Sequence, residues 1–126
     1  MAAQLEHVNV TVPDARATAQ VLSSLFGWKI RWQGEARDKG WTVHVGSDDT
    51  YLALYTPAQD AADGPARYSF NGGLNHLGVV VDDLDAAEET VRAAGYVPHM
   101  HADYEPGRRF YFNGPDGLEY ELITYD

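Results

Sequence analysis

The sequence contains no cysteine, so no disulfide can staple the fold, and any metal site must be built from nitrogen and oxygen donors. Basic residues are scarce as well: nine Lys and Arg face nineteen Asp and Glu, for a formal net charge of −10. A surface of that sign repels phosphate backbones and anionic lipid, so neither nucleic acid nor a membrane surface is an expected partner. No stretch approaches the ~20 consecutive apolar residues of a membrane-spanning helix. The opening Met-Ala-Ala-Gln-Leu-Glu lacks a basic segment leading into an apolar core, and a cytoplasmic location is expected. There is no Walker motif and no nucleophile elbow, and the Gly72-Gly73 pair precedes a strand-like segment where a phosphate loop would precede a helix.

What the chain does have is a repeat. Leu5-Glu6-His7-Val8-Asn9-Val10-Thr11-Val12-Pro13-Asp14 and Leu74-Asn75-His76-Leu77-Gly78-Val79-Val80-Val81-Asp82-Asp83 match at an offset of 69, from His7 to His76, with Leu, His, Val, Val and Asp in register. In the first copy Val8, Val10 and Val12 alternate with His7, Asn9 and Thr11, which predicts a strand whose histidine faces away from the covering helix. Asp14 stands at a helix N-cap, Ala17, Val21, Leu22, Leu25 and Phe26 follow at helical spacing, and Gly27 stops the run. Strands are expected over Trp28 to Gln33, Trp41 to Val45 and Tyr51 to Thr56.

The second copy repeats the order. A strand from Asn75 to Val81 leads to a cap at Asp82-Asp83, then to a stripe of Leu84, Ala87, Val91 and Ala94 ended by Gly95. Further strands are expected over Tyr96 to His99, Arg108 to Asn113 and Leu118 to Thr124, the last two joined by the turn Gly114-Pro115-Asp116-Gly117. The expected architecture is α+β: two βαβββ modules, 1–57 and 73–126, joined by an Ala-, Asp-, Gly- and Pro-rich linker over 58–72. Halves this small are marginal alone, so they should join in one domain as a curved mixed sheet around a central cavity, with the helices outside.

The final strand, Leu118-Glu119-Tyr120-Glu121-Leu122-Ile123, places Glu121 in an apolar setting, where an unpaired charge would cost several kcal/mol. Two imidazoles and this carboxylate around one divalent cation would satisfy it, with His7, His76 and Glu121 as ligands. Such a 2-His-1-carboxylate face leaves positions open for water, substrate or dioxygen. The first-half counterpart of Glu121 is Ala53, which has no donor atom.

Other polar groups are candidates for the chemistry. His99 and His101, two apart, would share a strand face and could act as acid–base groups. Arg108 or Arg109 could hold a substrate carboxylate, although pairing at the surface with the chain's many carboxylates is the first expectation for them. Either Tyr111 or the pair Phe110 and Phe112 should face the cavity. His44, with Phe112 as its repeat counterpart, is expected to line a pocket without acting as a ligand.

The "His-Val-Asn-Val-Thr-Val" and "His-Leu-Gly-Val-Val-Val-Asp-Asp" strands and the closing "Phe-Tyr-Phe-Asn-Gly-Pro-Asp-Gly-Leu-Glu-Tyr-Glu-Leu" resemble the vicinal oxygen chelate superfamily of glyoxalases, extradiol dioxygenases and bleomycin-resistance proteins over nearly the whole chain. The resemblance implies metal ligands on the first and last strands of each module, here His7, Ala53, His76 and Glu121. It implies a divalent-metal-dependent enzyme, loaded with Fe(II) or Mn(II) ahead of Zn, Ni or Co. Its small substrate would chelate through vicinal oxygens, as in extradiol dioxygenases, which use His, His and Glu at three of the four places. A glyoxalase-I-like lyase or isomerase is the first alternative, although such enzymes fill all four places. A non-catalytic, bleomycin-resistance-like small-molecule binder is the second. A homodimer is expected, because many superfamily members complete each site with strands of two chains.

Overall fold

The computed structural model describes residues 2–64, 67–104 and 107–125. The chain divides into two compact units, Met1–Ala62 and Asp63–Asp126, and each is a βαβββ module with a mixed four-stranded sheet. The first unit comprises β1 (His7–Thr11), α1 (Ala15–Phe26), β2 (Lys29–Glu35), β3 (Trp41–Gly46) and β4 (Tyr51–Thr56). The second comprises β5 (Leu77–Val80), α2 (Leu84–Ala93), β6 (His99–Tyr104), β7 (Gly107–Asn113) and β8 (Glu119–Thr124). Strand order is β1-β4-β3-β2 in one and β5-β8-β7-β6 in the other, with the first strand of each module parallel to its last. The predicted α+β class and repeated module are therefore the observed ones.

Both helices begin at the expected caps. Asp14 accepts from the Ala17 amide at 3.1 Å and Asp83 from the Ala86 amide at 3.0 Å, satisfying donors that the first turn leaves free. Gly27, at φ 69°, ends α1 by donating its N–H to the Ser23 carbonyl. The buried stripe of α1 is Ala15, Thr18, Ala19 and Leu22; of the predicted Ala17, Val21, Leu22, Leu25 and Phe26, Leu22 belongs to it and the others lie to one side. These small side chains bring the helix close to β3 and β4, where Val43, Val45 and Leu54 are fully buried. In the second unit Leu84 and Val91 of α2 are buried, and Phe110, Phe112, Tyr120 and Leu122 make the larger core.

The second unit departs from expectation at β6. Its strand runs over His99–Tyr104, later than the predicted Tyr96 to His99. Met100 takes a φ of 54°, and the pairing slips from His99↔Tyr111 to Ala102↔Arg109, one extra residue on β6. Alternation is lost across this bulge, so His99 and His101 do not share a face.

Candidate functional site

Strand register fixes which positions are equivalent in the two units. Ala53 pairs with Asn9 and His44, and Glu121 with Gly78 and Tyr111. His44 is thus the counterpart of Tyr111, not of Phe112 as expected from the repeat offset. By the same register Thr42, opposite Tyr55, corresponds to Arg109, opposite Ile123.

In the second unit His76 and Glu121 come together, with Nε2 of the imidazole 3.1 Å from Oε1 of the carboxylate. The other oxygen, Oε2, accepts from Arg109 Nη1 at 2.9 Å. Arg109 is itself fixed: Nε and Nη2 donate to the Gly107 carbonyl at 3.2 and 3.1 Å, and the guanidinium lies 4.9 Å over the Tyr104 ring. The Arg109 and Glu121 side chains are each 11 % exposed, so this is a buried ion pair. Tyr111 sits edge-on to His76 at 5.4 Å, and burial, with the Glu121 charge next, raises its phenol above the usual tyrosine range.

A second carboxylate stands behind the histidine. Glu119 Oε1 is 3.9 Å from His76 Nδ1, a buried atom without a hydrogen-bond partner, and accepts from the Tyr68 hydroxyl. Neither Glu119 nor Tyr68 stood out in the sequence. Tyr68 lies in the aperiodic 58–72 segment, and Glu119 gave only an alternation partner for Glu121.

In the first unit His7 points to the helix-free side of its sheet, as the alternation predicts, and stacks on Tyr51 at 4.9 Å. Its Nδ1 lies 2.9 Å from Glu6 Oε1, and the same oxygen accepts from the Tyr51 hydroxyl at 3.3 Å. The hydrogen bond from His7 is the leading cause that holds the Glu6 carboxyl below its usual range. Tyr51 also stacks on His44 at 4.5 Å, and His44 meets Trp32 at 5.3 Å, so four rings cross β1, β4, β3 and β2 in a row. Trp32 is 52 % exposed.

The other sequence-predicted residues separate. Phe110 and Phe112 are fully buried, which settles the alternation in favour of Tyr111 on the Glu121 side. His99 stacks beside Tyr111 at 6.5 Å, with its Nε2 buried and without a hydrogen-bond partner among the described residues. His101 instead lies against Phe110, with Nε2 3.0 Å from Glu88 of α2, because the Met100 bulge turns it to the helix side. Arg108 also leaves the group, pairing with the exposed Asp85 at 3.1 Å. His101 and Arg108 are therefore not beside Glu121.

Among the described residues, no group of three or more His, Cys, Asp or Glu is gathered closely enough to hold a metal ion. The three predicted ligands are divided, His7 in the first unit and His76 with Glu121 in the second. The His76–Glu121 pair nonetheless suits a divalent ion. Two donors each ~2.1 Å from a metal and at a right angle to one another lie about 3 Å apart, which matches the observed spacing. Nδ1 of His76 has no hydrogen-bond partner among the described residues, and the Glu119 carboxylate stands 3.9 Å from it.

Residues 4–122 match the family model described as the Glyoxalase/Bleomycin resistance protein/Dioxygenase superfamily. A curated relative, a probable chloroplastic lactoylglutathione lyase of Arabidopsis thaliana, is 24% identical over 123 residues. These are 93% of this chain but 34% of that protein, so the chain spans about a third of its length. The glyoxylase/bleomycin resistance protein/dioxygenase domain from Frankia sp. EAN1pec aligns over 100% of both chains, with a TM-score of 0.83 and 20% identity. A variant of the fosfomycin resistance protein FosX from Listeria monocytogenes, solved with Mn(II) and 1S,2S-dihydroxypropylphosphonic acid, aligns over 98% of this chain and 93% of that one. Its TM-score is 0.73 and its identity 17%. At these identities the structural matches establish the fold.

Proposed function

The chain belongs to the Glyoxalase/Bleomycin resistance protein/Dioxygenase superfamily, and from that premise we propose that it is a divalent-metal-dependent enzyme acting on a small substrate that offers two neighbouring oxygens. The observation that carries this reading is the His76–Glu121 pair at ligand spacing, with Arg109 holding the other carboxylate oxygen. His7 is the third proposed ligand, and the Mn(II) bound by a FosX variant supports a divalent ion, Mn(II) or Fe(II) first. When bound, such an ion supplies Lewis-acid stabilisation of negative charge developing on the substrate oxygens. Arg109 occupies Oε2 of Glu121, which leaves Oε1, the oxygen facing His76, for the proposed ion. Tyr111 and His99, on the same side of the sheet, are the groups placed to hold or move a proton. With alanine at the fourth place the set has three ligands, as in extradiol dioxygenases. Oxygen uptake with catechols under air supports the ring-cleaving branch, and isomerisation without oxygen uptake supports the lyase branch.

Metal binding is the first test. Protein loaded with Mn(II) and dialysed is expected to retain one ion per chain, and His76→Ala to weaken binding by more than about 100-fold, beyond the loss seen for groups that merely brace a ligand. No stoichiometric ion, or unchanged affinity in His76→Ala, ends this reading. A homodimer is part of the proposal, with His7 of one chain and the His76–Glu121 pair of another sharing each ion. Co-expressing His7→Ala with Glu121→Ala chains then regenerates about a quarter of the sites, counted as bound metal, whereas sites made within one chain regenerate none.

The exposed Trp32 at the end of the ring row favours a second reading, in which the chain sequesters a flat aromatic compound without turning it over. Binding that survives chelation, with no product, would identify it.

A further inference from the structure

Each unit sets a tyrosine-anchored glutamate beside Nδ1 of its histidine, at hydrogen-bond distance in the first and 3.9 Å away in the second. In the first, the Tyr51 hydroxyl donates to Glu6 Oε1, and that oxygen accepts from His7 Nδ1 at 2.9 Å. In the second, the Tyr68 hydroxyl donates to Glu119 Oε1, and that oxygen faces His76 Nδ1 at 3.9 Å. A carboxylate can only accept, so the ring proton of His7 sits on Nδ1 and Nε2 remains as the free donor atom. For His76, Nε2 lies 3.1 Å from Glu121 Oε1, and the neutral tautomer that would offer Nε2 to a metal carries its one ring proton on Nδ1, where Glu119 is the acceptor facing it.

The two carboxylates are not copies of one another. The repeat counterpart of Glu6 is Asn75, and that of Glu119 is Tyr51. Inheritance from the duplication therefore does not account for the match. The two halves bring a tyrosine-anchored glutamate to face Nδ1 through different positions.

We propose that Glu6 and Glu119 are positioning residues that hold the Nδ1–H of His7 and His76, so that both imidazoles offer Nε2 to the divalent ion. The inference rests on the metal-binding reading above. An imidazole braced through Nδ1 is fixed in ring orientation and tautomer and becomes a more basic ligand, and such braces are worth about 10–100-fold in metal affinity. Tyr51 and Tyr68 anchor the carboxylates in turn.

Two readouts test it without any substrate. In Zn(II)-loaded protein, 15N chemical shifts of His7 and His76 should show a proton on Nδ1 and coordination through Nε2 in both rings. Competition with a chromogenic chelator should show Glu6→Ala and Glu119→Met each weakening Zn(II) binding by about 10–100-fold, while Glu119→Gln, which keeps an acceptor oxygen, recovers most of the loss. Glu6 is exposed, so its variant folds even if Glu119→Met does not. Parent protein that binds no Zn(II) would overturn the metal reading and this inference with it. A parent that binds Zn(II), with Glu6→Ala binding equally well or either ring coordinating through Nδ1, overturns this inference alone.

Discussion

Arg109→Met should lower the stability of the metal-free protein by about 3–5 kcal/mol, the usual result of stranding one member of a buried ion pair. For a chain of this length that is a fall in Tm on the order of 10–20 °C. The size follows from the surroundings. Glu121 is buried, and among the described residues the cation paired with it at full charge is the guanidinium 2.9 Å away; His76 on the other oxygen is charged only when protonated. The reverse variant, Glu121→Leu, should cost less, because Arg109 keeps two hydrogen bonds to the Gly107 carbonyl and its contact with Tyr104. Removing both partners together should be close to neutral, since neither charge is then stranded. Thermal melts of the two singles and the double give the coupling directly. An Arg109→Met cost below about 1 kcal/mol would mean that Glu121 is solvated or neutral and that the pair does not organise the site. A divalent ion should restore part of the lost stability by replacing the missing positive charge.

Ala53→Glu is the second large effect, expected to destabilise the chain by about 3 kcal/mol. Ala53 is 2 % exposed and occupies the counterpart of Glu121, so a carboxylate installed there is buried. His7 stands where His76 stands in the other unit and can satisfy one oxygen. The second oxygen meets Thr42 in place of Arg109. Adding Thr42→Arg should therefore recover most of the loss, while Thr42→Arg alone should be harmful because its guanidinium would lack a carboxylate. If the double variant is no more stable than Ala53→Glu, the register equivalence does not carry over to side-chain chemistry. The comparison also bears on the proposed ligand set: the Glu121 position has Arg109 beside it, whereas the register counterpart of Arg109 in the first unit is Thr42.

The repeat carried most of what could be read in advance. It located both modules, both caps, the paired histidines and the place of Glu121, because period-2 and period-3.6 patterns survive in the residues themselves. It failed where geometry departs from period. Nothing about Met100 announces a left-handed residue, since glycine or asparagine would be the usual sign, and the bulge there sent His101 to α2 and left His99 by Tyr111. One step of register likewise separated His44 from its true counterpart. The braces on the histidines were invisible for another reason: Tyr68 and Glu119 are 51 positions apart in the chain, and no local pattern links them. Arg109 reads in the sequence, with Arg108, as a clamp for a substrate carboxylate or a partner of surface carboxylates, and its contact with Glu121 lies across a strand pair.

Gly107 has no functional group of its own, yet the guanidinium hangs on its carbonyl. A methyl added there would lie 2.3 Å from the Thr124 carbonyl oxygen, so the backbone has to move to accept one. A lesion at this silent position would surface elsewhere, as a glutamate that has lost its counter-ion. Sequence surveys that score only charged and aromatic positions would pass over the residue whose carbonyl holds the counter-ion of Glu121.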